Sequence, residues 1–279
     1  MRIVPRFMAH AGLLSSVLLC GCATAPSPPP AGIDIAALRA AVDAPQRDAA
    51  NRARDAHRHP LETLAFLGVE PTDTVIEISP SAGWYSEILA PYLRNGGTYV
   101  AATASAAPDS AGGKRNAALQ ATFVADPARF GQPQWLEYDG KAPQLGAARA
   151  DTVLTFRNVH NWVAGGTADA YFQAFFQVLK PGGVLGVVDH RARPGTDVDT
   201  MKKSGYLTEA LVIDLATRAG FVLEARSEIN ANPKDSADHP NGVWTLPPTN
   251  RHDAVDKARY QAIGESDRMT LRFRKPARD

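Results

Sequence analysis

The sequence predicts an α/β fold: an open, mostly parallel seven-stranded sheet with flanking helices and an N-terminal helical cap. Three observations carry that expectation. Short apolar runs alternate with stretches of helical period along most of the chain. The helical stretches stop at glycine, at Asn95-Gly96-Gly97, at Lys180-Pro181-Gly182-Gly183 and at Gly220. The run at 184–188 is apolar almost throughout, as a strand covered on both faces requires.

The elements follow in order. Ile35, Leu38 and Val42 sit at helical spacing. An alanine-rich, charged stretch at 47–58 reads as a second helix. A third starts at Pro60, a favoured first-turn residue, and stops before Gly68. These three form the cap. Strands are then expected at 74–78, 98–102, 135–138, 152–156, 184–188 and 221–227. A last strand at 269–273 alternates apolar and polar residues, as one near a sheet edge would. Helices are expected at 84–93, 113–124, 168–179 and 209–219.

The start of the chain speaks to location. Arg2 and Arg6 precede an apolar stretch, 7–19, that is shorter than the about 20 residues a membrane-spanning helix needs. A basic start followed by a short apolar core reads as a secretory signal. Its end, Leu19-Cys20-Gly21-Cys22, resembles the lipobox of bacterial lipoproteins, which implies lipidation at Cys22. Ala23 rather than aspartate follows. By the same resemblance the chain is expected in the cell envelope, on the periplasmic face of the outer membrane. The chain divides into a signal peptide (1–21), a Pro-rich tether (22–32), the helical cap (33–67) and an α/β domain (68–279). Both cysteines fall in the first two segments, so the body can form no disulfide and no thiolate zinc site.

The 30 Lys and Arg balance 29 Asp and Glu, and Arg2 and Arg6 would leave with the signal. A near-neutral body gives no electrostatic reason to expect nucleic acid as a partner. The expected partners are a small-molecule or envelope substrate and, through Cys22, the membrane.

In open parallel sheets, ligands bind outside the carboxyl ends of the strands. Three strand ends here carry clustered polar residues. The first runs into Glu77-Ile78-Ser79-Pro80-Ser81-Ala82-Gly83, the fourth into Arg157-Asn158-Val159-His160-Asn161-Trp162, and the fifth into Asp189-His190-Arg191. Arginine, asparagine and aspartate are seldom buried unpaired, so together these ends mark a site.

The stretch from Glu77 to Gly83 resembles the first motif of the class I S-adenosylmethionine-dependent methyltransferases, whose fold is Rossmann-like. In that motif an acid closes the strand and a glycine-rich turn opens the next helix. Lys180-Pro181-Gly182-Gly183 resembles the turn these enzymes place before strand five. Three phrases bring the chain closer to a little-characterised group of predicted bacterial methyltransferases. They run over 84–92 (Trp84 to Tyr92), 155–162 (Thr155 to Trp162) and 263–269 (Ile263 to Met269). The resemblance implies S-adenosylmethionine as cofactor, held by Glu77, Ser79, Ser81, Ala82, Gly83, Tyr85 and Asp139.

It departs from the pattern in two places. Ser81 and Ala82 stand where the group has glycines, and strand two ends in Ala101-Ala102-Thr103-Ala104 with no acid for the ribose. His160 is the candidate base, with Asn158 and Arg157 orienting the acceptor. Trp162, Asp189, His190 and His239 are candidates for the substrate side. Residues 230–242, polar and without apolar period, are expected to form a lid. No metal is expected, because nothing in the spacing of His160, Asp189, His190 and His239 specifies one.

Two other readings stay open. Ser81, Asp189 and His239 follow the chain order of a serine-hydrolase triad, although Ser79 stands where the nucleophile elbow has glycine. A non-catalytic envelope ligand-binding protein on this fold is the other, since a fold by itself implies no activity.

Overall fold

The computed structural model describes Met1 and residues 32–277. Cys22, the signal and nearly all of the tether lie outside the described residues. Among the described residues, no helix is long and apolar enough to cross a membrane.

The cap comprises α1 (Ile35–Val42), α2 (Ala49–Arg52), α3 (Asp55–Arg58) and α4 (Pro60–Leu67). Then follow β1 (Thr74–Ile78), α5 (Ser86–Leu93), β2 (Thr98–Ala104), α6 (Ala111–Ala125), α7 (Pro127–Phe130), β3 (Gln134–Tyr138) and β4 (Ala150–Phe156). The second half has α8 (Val159–Gly165), α9 (Ala168–Val178), β5 (Leu179–His190), α10 (Val198–Ser204), α11 (Glu209–Arg218), β6 (Val222–Ser227), α12 (Lys257–Ile263) and β7 (Arg268–Arg274).

The seven strands form one sheet in the order β3-β2-β1-β4-β5-β7-β6. The pairings from β3 across to β5 are parallel, and β7 runs antiparallel to both β5 and β6. The chain order thus reverses between β1 and β4, where the parallel-sheet rule places a ligand.

Burial on both faces explains the apolar strands. Ile76 and Ile78 of β1 join one cluster with Phe172, Phe175 and Leu185. Val75 joins another on the opposite face with Leu64, Leu67, Ile88 and Leu93. The second cluster docks the cap. A Cβ on Gly186 would lie 2.8 Å from Leu154 and 2.9 Å from Leu67, so glycine there lets α4 close onto β5.

Polar contacts fix the rest of the cap. Trp84 Nε1 donates to the carbonyl of Asn51 at 2.9 Å, and Arg268 donates to the carbonyl of His57 at 2.5 Å. Arg47, buried, forms a two-pronged pair with Asp55 at 2.7 and 2.9 Å.

Two expectations need correction. The stretch at 47–58 is two short helices, because Asp48 caps α2 at its start and the chain turns before α3. The glycine turn at 180–183 lies inside β5: Leu179 already pairs with Ala150, and the register shifts before Thr152 meets Val184. The last strand does lie near an edge, one strand in. β7 lies between β5 and β6, and the half-exposed, alternating strand is β6. Antiparallel insertion is a long-range outcome that local alternation does not encode.

Candidate active site

The turn after β1 is built on left-handed backbone. Ser79, Ser81 and Gly83 have φ of 53, 59 and 80°, while Ala82 does not need that conformation. For serine each such residue costs roughly 1–2 kcal/mol that glycine avoids. Gly83 has a second constraint, since a Cβ would stand 2.5 Å from Leu119 Cδ1. The turn is secured on either side. Ser79 N donates to Ala102 O at 2.7 Å, Ser79 Oγ shares a hydrogen bond with Tyr138 at 3.0 Å, and Asn158 Nδ2 donates to Ile78 O at 3.0 Å.

Glu77 lies beneath this turn, 3% exposed. Tyr99 and Ser86 donate hydroxyl protons to its Oε2 at 2.6 and 3.0 Å. Burial pushes its carboxyl up to about 7, against the downward pull of those two hydroxyls.

Above the turn a cavity of about 510 Å³ opens at the carboxyl ends of β1, β2 and β4. That volume suits a nucleoside-sized ligand. Glu77, Ser79, Ser81, Ala82 and Tyr85 line it, as do Arg157 and Asn158. Gly83 lies outside the lining and acts through the turn. Tyr85 stacks on Phe156 with ring centroids 3.6 Å apart.

The β2 wall carries hydroxyls and an amide in place of an acid: Thr103, Ser105 and Asn116. Thr103 Oγ1 is buried without a hydrogen-bond partner. On the cap side, Asn51, Arg54 and Arg58 line it, with Trp84 of the turn beside them and the Arg58 guanidinium 4.6 Å above the Trp84 ring. Sequence reasoning missed these cap residues. The four-residue spacing of Arg54 and Arg58 was a usable signal, since such pairs share a helical face.

His160, Asp189 and His190 come together elsewhere, at the end of β5, and none lines the cavity. All three are buried, with possible ligand atoms within 4.8 Å of one another. Asp189 is satisfied by three donors. His160 Nδ1 and His190 N reach its Oδ1 at 2.9 and 2.7 Å, and His160 N reaches its Oδ2 at 3.2 Å. His190 Nδ1 bonds Ser266 Oγ at 2.6 Å, and burial, reinforced by His160, pulls the His190 imidazole well below its ordinary range. Trp244 stands 6.2 Å from His160, ring to ring.

The remaining candidates disperse. Asp139 is a turn residue accepting from Lys141 N at 2.9 Å, and it does not line the cavity. Trp162 is core, stacked on Tyr171 at 4.0 Å. His239 bonds Asp235 at 2.8 Å. With Asp189 held by His160 and His239 held by Asp235, the triad that Ser81 would need does not assemble. Residues 230–242 contribute nothing to the cavity's lining. Asp235 instead anchors them, accepting from Tyr206 Oη at 2.9 Å and Asp267 N at 2.8 Å. Those bonds tie the loop to Tyr206 and Asp267, so in this structure it stands as a strut away from the cavity and not as a lid over it.

No family model and no curated protein matches the sequence. Among solved structures, an S-adenosylmethionine-dependent methyltransferase from Aquifex aeolicus is similar with a TM-score of 0.54 at 12% identity. That match covers 87% of this chain and 99% of that one. A second such methyltransferase, from Methanosarcina mazei, gives 0.50 at 12% identity, over 75% and 95%. The fold is that of the S-adenosylmethionine-dependent methyltransferases. A [4+2]-cyclase is similar too, with a TM-score of 0.52 at 15% identity over 82% of each chain. The methyltransferase fold therefore carries more than one named activity, and function has to be argued from the site.

Proposed function

We propose that the chain is an S-adenosylmethionine-dependent methyltransferase, working in the cell envelope on an anchor at Cys22. One observation carries the catalytic part. The turn from Glu77 to Gly83 takes up left-handed backbone at Ser79, Ser81 and Gly83 and opens onto a nucleoside-sized cavity. Two serines held in a conformation that disfavours them imply a turn retained for what it binds.

Bound there, the cofactor would supply an electrophilic methyl group. The backbone of Ser79, Ser81 and Ala82 would take its methionine end. Thr103, Ser105 and Asn116 would meet the ribose hydroxyls in place of an acid. Arg157 and Asn158 would orient the acceptor. With His160 off the cavity wall, the reading favours an acceptor that is already nucleophilic, for which positioning supplies the catalysis.

Calorimetric titration of S-adenosylmethionine and S-adenosylhomocysteine tests the reading. Micromolar binding, abolished by Gly83→Val, is the expected result, and absence of binding at millimolar cofactor would end it. The anchor rests on Arg2, Arg6, the apolar stretch and Cys22. Mass spectrometry of membrane-fraction protein should find a lipidated Cys22, lost in Cys22→Ser; an unmodified or absent Cys22 would remove the anchor.

The strained serines favour a second reading, a ligand-binding protein that retains the fold without turnover. Tight S-adenosylhomocysteine binding with no methyl transfer to any envelope extract would select it.

A further inference from the structure

The cap side of the cavity carries more positive charge than its protein partners balance. Arg54, Arg58 and Arg157 all line it, and Arg268 stands behind them. One carboxylate, Glu265, serves the group. It pairs with Arg54 Nε at 2.6 Å, Arg58 Nε at 3.2 Å and Arg268 Nη1 at 3.2 Å. Burial alone would push the Glu265 carboxyl up, but the surrounding guanidiniums, Arg58 foremost, hold it down at about 2.

Even so, donors are left over. Arg58 is 4% exposed and its Nη2 has no hydrogen-bond partner, and neither has Nη2 of Arg54. Among the described residues, the Arg157 guanidinium makes no hydrogen bond and no ion pair. It is held at the end of β4 by a left-handed backbone, with φ of 61°, and its own N–H is bonded to Val188 O at 2.7 Å. Burial, followed by Arg157, lowers the Arg58 guanidinium to about 9. Like charges crowded into a partly desolvated wall destabilise one another unless an anion joins them. Guanidinium forks match the planar oxygens of carboxylate and phosphate.

We propose that Arg54, Arg58 and Arg157 form an oxyanion subsite on the cap wall of the cavity, which receives a carboxylate or phosphate group of the bound ligand. The subsite stands on this geometry. Only the identity of the molecule carrying the oxyanion rests on the methyltransferase reading, where it belongs either to the acceptor or to the cofactor's own carboxylate.

Arg157→Met is the variant of choice, because its guanidinium has no protein partner to lose. Thermal unfolding and calorimetry with inorganic phosphate as the probe supply the readouts. In phosphate-free buffer the variant should unfold at or above the wild-type temperature, since a repelling cation is gone. Phosphate should raise the wild-type midpoint, and its affinity should fall at least tenfold in Arg157→Met and in Arg54→Met. Equal phosphate affinity in wild type and both variants would overturn the subsite, as would a phosphate-free Arg157→Met that unfolds well below wild type.

Repeating the titration with S-adenosylhomocysteine saturating separates the two sources. Continued phosphate binding assigns the subsite to the acceptor. Exclusion of phosphate, with Arg157→Met weakening S-adenosylhomocysteine but not 5′-methylthioadenosine, which has no carboxylate, assigns it to the cofactor. Arginine-dependent phosphate binding without any S-adenosylhomocysteine binding would retain the subsite and reject the methyltransferase reading.

Discussion

Two polar clusters crown the carboxyl edge of the sheet, and they differ in what they leave unsatisfied. At the end of β5, Asp189 accepts from three donors, His190 bonds Ser266, and the group is buried beside Trp244. At the ends of β1, β2 and β4 the polar atoms face a cavity, and several of them lack partners, on Arg54, Arg58 and Thr103. In the first cluster the carboxylate is saturated by its own chain, and only one nitrogen of each imidazole, Nε2, is left over. The second keeps donors for something else. Residue type alone makes the β5 cluster look the more catalytic, with two histidines and an aspartate; hydrogen-bond accounting reverses that ranking.

The largest effect is expected where the two regions share a wall. Glu265→Ala removes what is, among the described residues, the only carboxylate paired with Arg54, Arg58 and Arg268, and should cost about 3–5 kcal/mol in chemical denaturation, as loss of one partner from a buried ion pair does. A cost under about 1 kcal/mol would mean that solvent already balances the arginines.

Glu77 gives the next largest effect, as a dependence on pH. Its folded pKa, about 7, lies above the ordinary carboxyl value of 4.5. Between those two values the unfolded chain releases the proton first. This contribution to stability is therefore full below pH 4.5 and declines as pH rises through 7, by about 3 kcal/mol in all. Glu77→Gln should flatten that decline in denaturation curves recorded from pH 5 to 8. Glu265 acts in the opposite sense: with its carboxyl at about 2, its contribution is full above pH 4.5 and is lost as pH falls toward 2.

Asp189→Asn turns a donor toward groups that are themselves donors and should cost about 2 kcal/mol of stability. S-adenosylhomocysteine affinity should stay unchanged. Weakened cofactor binding at intact stability would mean that the β5 cluster reaches into the site after all. The smallest effect is a gain: Ser81→Gly relieves one left-handed serine and should stabilise the fold by about 1 kcal/mol, measured by thermal unfolding.

Much of the frame was readable along the chain. Each of the seven strands announces itself locally, by an apolar run or, at β6 and β7, by alternation, and the acid and turn of Glu77 to Gly83 sit where the resemblance puts them. The backbone cost of serine in that turn was legible at Ser81, but it falls on Ser79 rather than on Ala82. What eluded the sequence is long-range. Glu265 lies 211 residues from Arg54 and 207 from Arg58, so no window of sequence shows that they meet. The bond between His160 and Asp189 spans 29 residues and two elements, which is why His160 reads as a free base along the chain. The interior place of β7 likewise depends on which strand it finds.

The position of Gly32 carries a last consequence. A Cβ there would touch Glu70, just ahead of the start of β1 at Thr74, so the chain enters the body beside the amino edge of the sheet. The cavity opens past Ile78, at the opposite end of the same strand. Gly32 and the cavity mouth therefore stand at opposite ends of β1, so whatever fills the cavity enters from the side away from Gly32.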